Sequence, residues 1–190
     1  NQTAIEVCEG QQYDMDYEHQ ANVSIADYIE MIRLKTAVLL AASLKTGAII
    51  AGAEASDCDY IYQFGIHIGL AFQLKDDLLD VYGVQEKFGK VSGGDIIAGK
   101  KTYLYLKALE TAGSEADTFR SLYAAQDMES SEKIAKVKEV FNRMNIETHT
   151  RQLINYYYQK ALRDLSAISL PEEAMESLTE YAAWLMEREN

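Results

Sequence analysis

An all-α fold is what this 190-residue sequence predicts, and three observations lead there. A single proline, Pro171, leaves long stretches in which nothing interrupts a helix. Few runs show the period-two alternation of a half-buried strand. Two long segments, Ile25 to Ala53 and Cys58 to Tyr82, carry apolar residues at helical density. The length suits one domain with a sizeable core, or part of a larger one.

Taken in order, the stretch from Glu9 to Asp16 reads by pattern as a helix end followed by a polar turn. Ile25 to Ala53 follows as one long helix. Ile29, Ile32, Val38, Leu39, Leu40, Leu44 and Ile49 predict burial on most of its sides. Its most apolar part, from Ala37, is interrupted by Ser43, Lys45 and Thr46, which suits a buried helix better than a membrane span. In the segment Cys58 to Tyr82, Gly65 and Gly69 cost helix propensity but let a neighbour or ligand come close. Gly83 to Lys101 holds five of the eleven glycines and four lysines without helical period, and reads as one long loop, of a length that is usually functional or disordered. Helical pattern resumes over Thr102 to Ala112, breaks at Gly113-Ser114 with Ser114 as a candidate cap, and returns over Ser131 to Met144 and Ile146 to Ile168. The Tyr156-Tyr157-Tyr158 cluster is expected to pack helices. Pro171 fits the first turn of a last helix.

Thirty acidic residues against eighteen basic ones give a formal charge of -12, which argues against a nucleic-acid partner. Such a chain binds an anionic substrate only through local lysines or a bridging metal. Cys8 and Cys58 have no CxxC spacing, so a reducing, cytoplasmic setting is expected and zinc is not. The first residue is Asn1 and no cleavable leader is visible, so a processed start or a piece of a longer protein is expected.

Phe72-Gln73-Leu74-Lys75-Asp76-Asp77-Leu78-Leu79-Asp80 places three carboxylates in five residues of an apolar helix. At i, i+3 and i+4 spacing they can lean toward one point. A solvated acidic face fits poorly beside Phe72, Leu74, Leu78, Leu79 and Val81. The pattern suits a Mg²⁺ ion that takes its other ligands from water and a substrate phosphate. Gln73 lies one turn earlier and can face the same ligand. Within two turns begins Lys87-Phe88-Gly89-Lys90-Val91-Ser92-Gly93-Gly94-Asp95, followed by Gly99-Lys100-Lys101-Thr102. Backbone N–H groups and ammoniums brought together there make a phosphate-facing lid, without the spacing of a P-loop. For Lys35-Thr36, inside the long apolar helix, two readings stay open: a lysine snorkelling at a helix edge, or one pointing into a polar cavity. His19, His67 and His149 share no ligand spacing, and His67 reads as a hydrogen-bonded core residue.

These pieces resemble, in order, the C-terminal part of trans-isoprenyl diphosphate synthases, the polyprenyl synthetases. Gly10-Gln11 with Asp14 is similar to the family's GQxxD element, and Lys35-Thr36-Ala37 to its KT element. Phe72-Gln73 with Asp76-Asp77-Leu78-Leu79-Asp80 is similar to the second aspartate-rich motif. Gly89-Lys90 to Gly94-Asp95 and Gly99-Lys100-Lys101-Thr102-Tyr103 are similar to the elements after it. The match runs to about Leu109, and a helical tail follows. The resemblance implies an isoprenoid synthase-type helical bundle around a central cavity, here without its N-terminal helices, with residues 1–190 as the C-terminal part of one such domain and a homodimer as the assembly.

The implied reaction joins an allylic diphosphate to isopentenyl diphosphate, with Mg²⁺ as cofactor. By the same resemblance Asp76 holds one Mg²⁺, supported by Asp77 and Asp80. Lys35, Lys90, Lys100 and Gln11 hold diphosphate, and Thr36 and Gln73 flank the reacting carbon. Two departures stand out. The family's first DDxxD is not in this sequence, since Asp57-x-Asp59 is too short and reads as lying in a turn, so an inactive fragment is expected. Leu104 stands where many members have proline. The alternative is a non-catalytic regulatory subunit of a heteromeric synthase. A class I terpene cyclase would need a different second metal motif.

Overall fold

The structure, a computed structural model, describes residues 1–83 and 93–187, and among these every regular element is helical. The order is α1 (Gln2–His19), α2 (Ile25–Ile32), a π turn (Arg33–Ala37), α3 (Val38–Ile50), α4 (Ala55–Tyr82), α5 (Gly94–Ala98), α6 (Tyr103–Thr111), a 3₁₀ turn (Gly113–Glu115), α7 (Ala116–Ala124), α8 (Ser130–Arg143), α9 (Ile146–Ser166) and α10 (Glu172–Glu187).

The predicted helix from Ile25 is continuous in space but not uniform. Ser24 and Asp27 start it with a reciprocal capping box. At Arg33–Ala37 the hydrogen bonds lengthen to i→i+5, with the Val38 N–H donating to the Arg33 carbonyl. The expected all-round burial does not hold beyond that turn. In α3 only Val38 and Ala41 are buried, while Leu39, Ile49 and Ile50 are exposed, Ile50 at 81%. Val38 and Ala41 enter the core, and Leu40 and Leu44 pack partly against the cluster that contains Ile61, Phe64 and Ile68 of α4, which leaves Leu39, Ile49 and Ile50 outside these contacts.

α4 is the spine of the fold, packed chiefly on α3 and α9. Gly65 and Gly69 make its contact with the preceding helix possible. A Cβ on Gly65 would stand 2.5 Å from the Ala41 Cα, and one on Gly69 2.7 Å from the Ala37 Cα. A neighbouring backbone, not a ligand, therefore uses the room these glycines leave. One core joins the second half of α4 to α2, α6, α7, α8 and the start of α9. A second sets Ile61, Phe64 and Ile68 of α4 against Ala161 and Leu165 of α9 and Ala182 and Leu185 of α10.

Several sequence expectations change. Glu9 to Asp16 is the middle of α1, not a helix end; its polar residues occupy the exposed side of a helix pinned by the buried Gly10. The glycine and lysine stretch contains the short α5. Ser114 makes no cap, because the 3₁₀ turn intervenes. The cap of α8 is the Glu129 side chain, which accepts from the N–H groups of Ser131 and Glu132. Asp57 and Asp59 lie in the first turns of α4; Asp59 pairs with Lys45 at 2.7 Å. Pro171 does begin the last helix, its carbonyl accepting from Ala174 and Met175. His67 is hydrogen-bonded to Asp164 of α9 at 2.5 Å and stacks on Tyr157. No helix among the described residues is long and apolar enough to cross a membrane.

Two glycine substitutions separate contact from propensity. Gly69→Ala should destabilise the chain by about 1–3 kcal/mol through overpacking on Ala37. Gly47→Ala, in α3 with nothing within 4 Å of the added methyl, should stabilise it by roughly 0.5–1 kcal/mol. Urea denaturation of both variants checks the opposite signs.

Candidate active site

The site grows from three backbones that meet at the π turn. Gly10 of α1 lies against it so closely that a Cβ there would be 2.3 Å from the Lys35 backbone N. On the other side Gly69 brings α4 against Ala37. Lys35 and Thr36 thus sit in a widened turn between α1 and α4, and π turns of this kind recur at functional positions. Lys35 reaches α1, its Nζ 2.5 Å from Asp14 Oδ2. The side chain stays about one-third exposed, so its ammonium is held at the edge between α1 and the π turn by this pairing.

Thr36 reaches α4. Its hydroxyl donates to Gln73 Oε1 at 3.1 Å, and Gln73 Nε2 donates to Asp77 Oδ1 at 3.1 Å. The other oxygen of Asp77 accepts from the hydroxyl of Tyr28 on α2. Both carboxylate oxygens therefore have protein donors, and the residue is 6% exposed. Burial pushes the Asp77 carboxyl up to about 7, and the charges of Asp95 and Asp76 add to the rise; the Tyr28 and Gln73 bonds oppose it. The Tyr28 hydroxyl is pushed well up, first by burial and then by Asp77.

The three aspartates of the motif are not equivalent. Asp76 is exposed, Asp77 buried and Asp80 half-buried. Asp80 Oδ2 accepts the Asp95 N–H at 3.0 Å, and its backbone carbonyl accepts the Gly93 N–H at 2.6 Å, so α5 is fastened to the end of α4. Burial raises the Asp80 carboxyl, with the Asp95 N–H working against the rise. Among the described residues no three His, Cys, Asp or Glu side chains gather around one point. The donor set still suits Mg²⁺ of the sparsely liganded kind: hard carboxylate oxygens on Asp76 and Asp80, at different exposure, with Asp77 behind them held by protein donors.

Lys100 and Lys101, adjacent in sequence, part company in space. Lys100 Nζ lies 2.7 Å from Asp95 Oδ1, and that hydrogen bond raises its pKa. Lys101 Nζ donates to the carbonyls of Tyr17 and Glu18 and so closes the C-terminal end of α1. Gln11 is exposed on α1, next to the Gly10 contact. Lys90, with Lys87, Phe88 and Gly89, lies outside the described residues. The structure thus brings Thr36, Gln73 and Asp77 into one bonded line, with Lys35 beside it in sequence but paired to Asp14, and Asp80 and Lys100 into a second group joined through Asp95. Sequence reasoning missed Tyr28 and Tyr123. For Tyr28 a signal existed, since a tyrosine on the buried face of an amphipathic helix needs a partner for its hydroxyl.

Residues 1–144 match the polyprenyl synthetase family. A short chain isoprenyl diphosphate synthase of Methanothermobacter thermautotrophicus is 36% identical over 188 residues, covering 99% of this chain and 57% of that protein. A crystal structure of a geranylgeranyl pyrophosphate synthase superposes with a TM-score of 0.93 at 43% identity, covering 100% of this chain and 59% of that one. A geranylgeranyl pyrophosphate synthase of Corynebacterium glutamicum, complexed with isoprenyl diphosphate and magnesium, superposes with a TM-score of 0.88 at 33% identity, covering 98% of this chain and 53% of that one. The chain belongs to the polyprenyl synthetase family. It spans a little over half the length of these relatives.

The raised carboxyl of Asp77 gives a pH test. Its folded-state pKa, about 7, lies above the ordinary 3.8, so the folded chain binds the extra proton and this group's contribution falls as pH rises from about 4 through 7. Asp77→Asn removes the titration. In chelator, the stability of Asp77→Asn relative to the unchanged chain should therefore increase between pH 5 and pH 8, by on the order of 1 kcal/mol or more. Urea midpoints at the two pH values measure it, and a pH-independent difference would contradict the assignment.

Proposed function

We propose that this chain carries one half of the active site of a trans-prenyl diphosphate synthase, which joins an allylic diphosphate to isopentenyl diphosphate head to tail. The observation that carries the reading is the hydrogen-bonded line Thr36–Gln73–Asp77, which joins the turn holding Lys35 to the helix holding the aspartates. Two separate sequence elements meet there, the α5 segment with Lys100 is fastened to the end of α4, and each supplies a different need of diphosphate chemistry. Lys35 and Lys100 supply positive charge for a leaving diphosphate, with Lys90 as the third expected lysine. Asp76 and Asp80 would hold Mg²⁺, which when bound neutralises diphosphate charge. Asp77 supports them from behind, anchored by Tyr28 and Gln73. Thr36 and Gln73 offer oxygen dipoles toward a carbon that becomes cationic. Gln11, exposed on α1 one residue after Gly10, is the further group assigned to diphosphate.

The reading is supported by the family match and by the magnesium and isoprenyl diphosphate named for the Corynebacterium structure. Both present lysines are paired with acids, Lys35 with Asp14 and Lys100 with Asp95. An incoming diphosphate would share these lysines, and the acids limit how long a product anion is held. The other diphosphate site and the first aspartate-rich motif are assigned to chain beyond these residues, with a homodimer in a reducing compartment as the working assembly. A regulatory subunit has no evident use for a complete Lys35, Thr36, Gln73, Asp77 set.

Two measurements test the proposal. The 190-residue chain alone should give no prenyl product from allylic and isopentenyl diphosphates with Mg²⁺, and robust turnover would refute the division of the site. In the complete protein, Asp76→Ala should slow condensation by at least a hundredfold, about 2.7 kcal/mol of barrier. A loss within twofold would remove Asp76 from the metal site.

A further inference from the structure

We infer that Tyr123, on α7 and outside every recognised motif, is a positioning residue that sets Lys100 for diphosphate. Its hydroxyl donates to the Lys100 carbonyl at 2.7 Å and lies 3.5 Å from the Asp95 carbonyl. One of these carbonyls lies within the short α5 and the other lies two residues past its end, on the segment from which the second half of the site hangs. The Asp95 N–H holds Asp80, the Asp95 carboxylate holds the Lys100 ammonium, and the Lys100 N–H donates to the Asp95 carbonyl at 3.0 Å. The segment is thus pinned from α4 on one side and from α7 on the other. Without the hydroxyl, the α7 anchor of the Lys100 peptide is lost.

The ring is built to aim this hydroxyl. Tyr123 is 4% exposed and packs on Tyr105 at 4.3 Å and Phe119 at 5.8 Å between centroids. The buried Lys133 places its ammonium 5.8 Å from the ring centroid. A phenylalanine would fill the same space, so packing alone gives no reason for the oxygen. The oxygen serves the α5 segment, and through it the geometry of Lys100.

This inference rests on the reading of Lys100 as a diphosphate-holding group, and the test separates the two. In the complete protein with saturating Mg²⁺, inorganic pyrophosphate is titrated calorimetrically. Tyr123→Phe should weaken binding about fivefold, the scale of one hydrogen bond. Lys100→Gln should weaken it more, and Tyr123→Phe added to Lys100→Gln should cost nothing further, because the hydroxyl acts through that lysine. Phe119→Leu, which disturbs the same aromatic cluster, should lower the melting temperature and leave pyrophosphate affinity unchanged. If Lys100→Gln binds pyrophosphate normally, the diphosphate reading of Lys100 fails. If only Lys100→Gln weakens binding, if the two losses multiply, or if Phe119→Leu mimics Tyr123→Phe, the positioning role fails.

Discussion

α4 can lie against Ala37 and Ala41 only because Gly65 and Gly69 carry no side chain. The same holds for α1 at Gly10, where the backbone of Leu34 and Lys35 fills the place of a Cβ. The approaches at Gly10 and Gly69 trap the π turn between two helices, and the one at Gly65 seats α3 on α4. With the turn fixed, Lys35 meets Asp14 and Thr36 meets Gln73 without any long flexible reach. Side chains that hold a charged ligand work best when packing has already set their rotamers. Here backbone proximity does that, and the remaining polar contacts follow from it.

The electrostatics are organised in layers. Asp77 sits deepest, with its oxygens satisfied by Tyr28 and Gln73 and its charge disfavoured by burial. Asp76 and Asp80 lie farther out, and Lys35 and Lys100 are paired with acids of their own. A chain of net charge -12 would otherwise repel diphosphate. Local pairing keeps the ammoniums in place near the aspartates, where a cation joining the acids can turn a repulsive patch into an attractive one.

Much of this was legible in the sequence. The two long helices, the aspartates on α4, Lys35-Thr36 within a helix and Pro171 at the start of the last helix all follow from periodicity and residue chemistry. The π turn did not, because its residues have ordinary helical propensity and nothing in their pattern marks the close approaches of Gly10 and Gly69 on either side of it. α1 was misread at Glu9 to Asp16 because a polar surface helix and a polar turn have similar composition. The apolar residues of α3 suggested full burial, yet Leu39, Ile49 and Ile50 are exposed in a chain a little over half the length of its relatives. Tyr123 was invisible, since its role depends on α7 folding back onto α5.

On the proposed reading the π turn, the α4 aspartates and the α5 segment form one diphosphate-binding unit. A crystal structure of the complete protein with inorganic pyrophosphate and Mn²⁺, using the anomalous signal of the metal, tests it most directly. A metal against Asp76 or Asp80 and a pyrophosphate within contact of Lys35 and Lys100 are expected. Pyrophosphate and metal bound elsewhere, with Lys35 and Lys100 still closed on Asp14 and Asp95, would contradict it.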